Sequence, residues 1–220
     1  RPQKGRYRQF YQLGVEAFGM AGHGIETELL LMSAVFWHKL GVAEHLKLEL
    51  NNLGTSADRA SFGKALQAYL QPLHEQLDAD SQRRLESNVL RILDSKVPQT
   101  QALLENAPRL SDFISAEPKQ QFESLLETLD KAGQAYTINP ALVRGLDYYN
   151  GMVFEWTTEL LGSQATVCAG GRYDALSRQL GGTDTPAVGF AMGLERILLL
   201  IEAGAGFPAD LSRQVDVYLA

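Results

Sequence analysis

Four short segments carry side chains whose types and spacing suit anion and heterocycle chemistry. Arg1, Lys4, Arg6 and Arg8 place four cations in eight residues, with no acid before Glu16, and Phe10 follows them. A cationic loop beside an aromatic ring suits a triphosphate and a stacked base, and equally suits a solvated basic loop. Gln12 and Glu16 share one face of an alternating run, FYQLGVEAF (10–18), and Gly14 between them leaves room for a ligand. An exposed polar strand face is the competing account, although such a face has no need of Phe10. In RGLDYYNG, Arg144 stands close to Asp147, Tyr148 and Tyr149. Its planar, permanent charge fits phosphate or carboxylate, or a structural pair with Asp147. Gly170 and Gly171 allow close approach to the backbone. Gly189 and Gly193 precede a helical run carrying Arg196, a combination suited to an anion.

Alternation and helical spacing identify the elements that must position these groups. In 10–18, Tyr11, Leu13, Val15 and Ala17 form the core-facing set. GIETELLLMSAVFWHKL (24–40) has helical spacing and stops at Gly41, and HLKLELNN (45–52) alternates as a strand. From about 55 to 135 strand signals vanish and helical ones follow, with Ser56 and Ser115 as candidate caps. Strand patterns resume at Ala135, and Asn150–Gly151 predicts a hairpin turn between two β-rich runs. QATVCAGG (164–171) reads as a buried strand and GRYDALSRQLGG as a helix ending at Gly181. PAVGFAMGLERILLLIEAG reads as strand, glycine turn and helix, and a new strand begins near Gln214. The expected core is an antiparallel sheet with flanking helices, interrupted by a helical block.

Composition removes whole function classes. The 220 residues carry 20 Lys+Arg against 26 Asp+Glu, a net charge of −6, so any nucleic-acid contact depends on a local basic patch. A single cysteine excludes an internal disulfide framework and fits a reducing compartment. Cys168 lies in an apolar run and reads as a buried inert thiol, while His23, His38, His45 and His74 are scattered, so no metal site is expected. No apolar run approaches the ~20 residues that cross a bilayer. The phosphate-loop, dinucleotide, nucleophile-elbow and HExxH patterns are all missing. Both ends fall within elements, so the chain is expected to be a piece of a longer protein.

Taken in order, the chemistry-bearing segments resemble one family. LVRGLDYYNGMVFEW (142–156) and AGGRYDAL (169–176) resemble the two histidine-specific signatures of histidyl-tRNA synthetases. GFAMGLER (189–196) resembles motif 3 of class II aminoacyl-tRNA synthetases, and RPQKGRYRQFYQLGVEAFG (1–19) the loop and second strand of motif 2. The resemblance runs through nearly the whole chain and is closest to bacterial members. It implies an α+β fold: a six- or seven-stranded antiparallel class II sheet flanked by helices, with an inserted mostly helical domain. Residues 1–54 and 135–210 would form a catalytic core truncated at its N-terminus. Residues 55–134 would be the insertion domain that approaches the tRNA acceptor arm, and 211–220 would open an anticodon-binding domain. Motif 1, the first motif 2 strand and the upstream histidine-binding acidic segment lack counterparts.

The implied activity is ATP-dependent activation of L-histidine to histidyl-adenylate, followed by transfer to tRNA(His). Arg144 would lie against the α-phosphate and the substrate carboxylate as the catalytic residue. Gln12 would hold the amino-acid head, Glu16 and Tyr149 would face the imidazole, and Tyr148 and Tyr173 would complete the pocket wall. Phe10 would stack on adenine, Arg6 and Arg196 would bind the outer ATP face and phosphates, and Mg2+ would accompany ATP. A cytoplasmic homodimer is implied. The alternative is a catalytically silent relative that acts as a regulatory subunit of ATP phosphoribosyltransferase in histidine biosynthesis. A synthetase for another amino acid should lack the RGLDYY segment.

Overall fold

Alternating apolar residues in two early runs build strands of one sheet, and helical spacing between them supplies its cover. The computed structural model describes residues 7–143, 148–162, 165–204 and 206–207. Strand β1 (Gln12–Phe18) is followed by helix α1 (His23–Lys39) and β2 (Lys47–Asn52). Helices α2 (Ser56–Leu70), α3 (Ala79–Ser87), α4 (Pro98–Leu104) and α5 (Ala116–Lys131) come next, joined by short 3-10 turns. The chain returns to the sheet through β3 (Thr137–Ile138), β4 (Asn150–Thr157), β5 (Thr166–Arg172), α6 (Leu176–Gln179), β6 (Ala187–Gly193) and α7 (Leu194–Ala203). The six strands lie in the order β1-β6-β5-β4-β2-β3. Every pairing is antiparallel except β2 with β3. The α+β sheet flanked by helices thus matches the class expected from the sequence.

One face of the sheet is apolar. Leu48 and Leu50 of β2, Phe154 and Trp156 of β4, and Val188, Phe190 and Met192 of β6 are all buried there. Leu30 and Trp37 of α1, Leu125 and Leu129 of α5, and Ile197 and Leu200 of α7 pack against them. Each such side chain contributes roughly 1.5–3 kcal/mol by leaving water. The indole of Trp156 donates to Ser33 Oγ at 2.9 Å, so α1 is fixed in register as well as in layer. Within the helical block, Phe62, Leu66 and Leu70 of α2 build a second core with Leu85 of α3, and Val153 of β4 and Ala187 of β6 join it.

Several local expectations change on contact with the fold. Asn150–Gly151 opens β4 instead of turning a hairpin. The preceding strand pairs in parallel with β2, and the positive φ of Gly151 (62°) serves a register irregularity between Asn150 and Val153. Thr55, not Ser56, caps α2: Thr55 Oγ1 accepts from the Asp58 amide, and Asp58 Oδ2 accepts from the Thr55 amide. Ser115 occupies the N-cap position of α5 without a capping bond, because its hydroxyl donates to Asp58 Oδ2 instead. The helix expected up to Gly181 is a single turn, α6, and β6 passes into α7 at Gly193 without an intervening turn. The strand expected near Gln214 lies outside the described residues.

Asp78 shows what holds the helical block together. It caps α3 through the amides of Asp80 and Ser81, and its Oδ2 accepts from the hydroxyls of Ser81 (2.6 Å), Thr100 (2.8 Å) and Ser95 (3.3 Å). The Ser81 hydrogen bond, followed by those from Thr100 and the two amides, holds its carboxyl well below the usual aspartate range. A depressed carboxyl stabilises the fold above the unfolded-state value of about 3.9 and loses that contribution as pH falls further. Asp78→Ala is therefore expected to cost about 1 kcal/mol at neutral pH in denaturant unfolding, with the deficit shrinking below about pH 4.

Candidate functional site

Strand register dictates a sheet face with almost nothing on it. Opposite the apolar face, Gln12, Gly14 and Glu16 of β1 stand across from Gly193, Ala191 and Gly189 of β6. Beyond them come Ala169 and Gly171 of β5, then Glu155 and Val153 of β4. On β6 and β5 this face carries nothing larger than a methyl group over those positions. The bare floor leaves a cavity of about 520 Å³ lined by Phe10, Gln12, Tyr148, Tyr149, Glu155, Arg196 and their neighbours. Five of the residues singled out in the sequence are thereby brought to one hollow.

Glu16 and Tyr173 stand outside that lining and are joined to it by aromatic contacts. Tyr173 Oη donates to Glu16 Oε1 at 2.9 Å. The Tyr173 ring meets Tyr148 at 5.7 Å and Tyr149 at 5.9 Å, both edge-on, and Tyr148 lies 4.7 Å from Tyr149. Gly189 makes the phenol–carboxylate contact possible. A Cβ there would sit 2.8 Å from Tyr173 Oη, 2.9 Å from Glu16 Cγ and 2.6 Å from Val15 O. Burial, reinforced by the Glu16 carboxylate, pushes the Tyr173 phenol well above the usual tyrosine value.

The far end of the hollow is built by α7. Arg196 reaches back from its first turn and donates to the carbonyl of Thr166 at 2.6 Å. Thr166 in turn donates its hydroxyl to Glu155 Oε2 at 2.7 Å. Glu195 accepts from the Tyr11 amide through both carboxylate oxygens, at 2.9 and 3.1 Å, and the Leu194 amide donates to Tyr11 O at 2.9 Å. These contacts pin the start of β1, and with it Phe10 and Gln12, to the start of α7. Phe10 itself is 54% exposed, leaving its ring open to a partner.

Arg144 and Asp147 lie outside the described residues, as do Arg6 and the other cations of residues 1–6. Glu155 is a site residue that the sequence reading overlooked. Its signal was a lone carboxylate in the apolar run MVFEW, in phase with Val153 on the open face. Cys168 is buried at 1% exposure at the edge of the hollow. Among the described residues, no three His, Cys, Asp or Glu side chains are placed to hold a metal ion, and no helix is long and apolar enough to cross a membrane. A cavity of about 480 Å³ shares Tyr149 with the first and runs between α2 and residues 85–93. Its lining, largely apolar, includes none of the other candidates.

The model of one protein family, histidyl-tRNA synthetase, matches residues 1–197. The crystal structure of apo histidyl-tRNA synthetase from S. aureus is 36% identical over 96% of this chain and 51% of its own, with a TM-score of 0.74. A histidine–tRNA ligase subunit from Alicyclobacillus acidocaldarius is 27% identical, covering 87% of this chain and 64% of its own (TM-score 0.51). An ATP phosphoribosyltransferase regulatory subunit/histidyl-tRNA synthetase from Bacillus halodurans is 25% identical, covering 88% and 53% (TM-score 0.53). The chain spans about half the length of the S. aureus protein.

The phenol–carboxylate contact has a direct readout. Glu16→Gln is expected to lower the titration midpoint of Tyr173, followed by NMR of its ring, while burial keeps it above the ordinary tyrosine value of about 10. An unchanged midpoint would mean that Glu16 exerts no influence on the phenol.

Proposed function

The chain belongs to the histidyl-tRNA synthetase family, and from that premise we propose that it is catalytic machinery of a histidine–tRNA ligase. The reading is carried by one observation: a single hollow has a tyrosine wall leading to the Glu16–Tyr173 pair, and Phe10 and Arg196 border the same space. The first group suits an imidazole and the second a nucleotide. In this reading the imidazole meets Glu16 and Tyr149, where carboxylate and phenol can accept from and donate to the two ring nitrogens, and Tyr173 completes the wall while holding Glu16. Gln12 takes the amino-acid head, and Tyr148 closes the wall. Adenine stacks on Phe10, while Arg196 and Arg6 hold the outer phosphates. Residues 55–134 are the helical insertion, with α5 packed back on the sheet, and the anticodon-binding module follows the chain.

The chemistry is positioning plus charge neutralisation. A histidine carboxylate oxygen attacks the α-phosphorus of ATP, the bond to the bridging oxygen breaks, and pyrophosphate leaves; Mg2+ accompanying ATP would neutralise charge on the phosphates. A hydroxyl of the terminal tRNA ribose then attacks the acyl carbon, and AMP departs. Arg144 neutralises charge that develops at phosphorus, where a fixed guanidinium acts without reorganisation. Placing both reactants in one hollow supplies the rest of the advantage. Selectivity follows from the hydrogen bonds that a side chain without ring nitrogens cannot make to Glu16 and Tyr149, about 0.5–1.5 kcal/mol for a neutral bond and about 1.5–3 kcal/mol for one to the carboxylate. The active protein is a cytoplasmic homodimer with histidine, ATP and tRNA(His) as its partners.

The test is histidine-dependent exchange of pyrophosphate into ATP by the complete protein. Exchange is expected; histidine binding without exchange would instead assign the chain to the regulatory subunit of an ATP phosphoribosyltransferase. Arg144→Ala should lower the exchange rate by roughly 10²–10³-fold while histidine binding persists, and an equal loss of both would remove its transition-state role. Glu16→Gln should weaken histidine binding by about tenfold, the equivalent of one charge-assisted hydrogen bond. Unchanged affinity would take Glu16 out of the imidazole site.

A further inference from the structure

Arg172, the residue before Tyr173, is 7% exposed and lies outside the chemistry described above. Its guanidinium spends its donors on four acceptors. Nε donates to Glu26 Oε1 at 2.5 Å, and Nη2 to Gly22 O at 2.9 Å. Nη1 donates to Asp174 Oδ1 at 3.0 Å and to Met20 O at 3.4 Å. Asp174 extends the web. Its Oδ1 also accepts from the Ala187 amide at 2.9 Å, its Oδ2 accepts from Asn150 Nδ2 at 3.2 Å, and its own amide donates to Asn150 Oδ1 at 2.8 Å.

The segments tied together are those that carry the imidazole end of the site. Met20 and Gly22 lie on the β1–α1 connection, just past Glu16. Asn150 adjoins Tyr149. Ala187 opens β6 two residues before Gly189, whose missing side chain gives Tyr173 its route to Glu16. Arg172 and Asp174 flank Tyr173 itself. A buried ion pair is a weak source of stability, because desolvation offsets its Coulomb gain. Burial indeed pushes the Glu26 carboxyl up, against the pull of Arg172. What a guanidinium supplies in such a place is geometry, since its rigid fork fixes several acceptors at once, as an ammonium cannot.

We propose that Arg172, anchored by Glu26 and Asp174, is a positioning residue that sets the Tyr173–Glu16 pair and thereby the enzyme's grip on the imidazole. This rests on the histidine–tRNA ligase reading and assigns a specificity role to side chains that touch no substrate. Arg172→Lys keeps the charge and loses the fork; Glu26→Gln keeps the shape and loses the carboxylate.

The experiment compares both variants with the wild type in the complete protein. It measures KM for histidine and for ATP in pyrophosphate exchange, together with the ring titration of Tyr173. Arg172→Lys is expected to raise KM for histidine by about tenfold and KM for ATP by no more than about twofold, with Tyr173 titrating lower. Glu26→Gln should shift the same quantities in the same direction by a smaller factor, and it stands in if the lysine variant does not fold. Unchanged histidine KM, or histidine and ATP constants rising together, would overturn the positioning role. Absence of exchange in the wild type would overturn the ligase reading instead, and the Tyr173 titration would then still decide whether Arg172 sets the pair.

Discussion

Everything at the site depends on a sheet whose two faces have opposite duties. On one side leucines, tryptophans and phenylalanines interlock with three helices. On the other, glycine and alanine recur at the alternate positions of β6 and β5, so backbone is the floor. Packing density in protein interiors leaves no voids by default, so a hollow of this size must be written into the sequence as missing side chains. Gly170 shows the same constraint from the packed side: a Cβ there would meet Gly189 O at 2.1 Å and Phe190 Cα at 2.7 Å. The central strands can approach one another as they do only because these positions lack side chains.

A bare floor needs rigid walls. Those walls come from long-range contacts between elements distant in sequence. Glu195 holds the start of β1, Ser33 holds Trp156, and Arg172 holds the β1–α1 connection to β5. The helical block contributes from the open side, where Leu142, Tyr149, Val153 and Tyr173 share a core with α2 and α3. Its last helix, α5, crosses to the apolar face and packs on α1 through Leu125 and Leu129. The block and the sheet are therefore coupled through both of their cores, and Tyr149 sits between the site and the inserted helices.

Much of this was legible in the chain, and the limits have physical causes. Period-two alternation in 10–18 and 45–52 gave the strands, because half-buried strands leave that trace, but of the set expected to face the core from β1 only Val15 and Ala17 pack on it, while Tyr11 and Leu13 are exposed at the end of the strand order. The placing of Gln12 with Glu16 and the clustering of the tyrosines followed from it and from the family's signatures. Asn150–Gly151 misled because a left-handed glycine serves a strand irregularity as readily as a hairpin, and only the pairing partner distinguishes them. Thr55 was overlooked beside Ser56 because adjacent hydroxyls look alike until the helix start is fixed. The Arg172–Glu26 pair spans 146 positions and left no local signal at all. Glu155 was legible in phase but not in purpose, since a carboxylate in a β-run reads as an exposed face until the floor beside it is known to be empty.

The most direct measurement is a crystal structure of the complete protein bound to a non-hydrolysable histidyl-adenylate analogue. The account predicts the imidazole in contact with Glu16 and the tyrosine cluster, the adenine against Phe10, and the phosphate linkage over the glycine and alanine floor within reach of Arg144. An analogue seated away from that hollow, or an imidazole turned from Glu16 toward solvent, would contradict it.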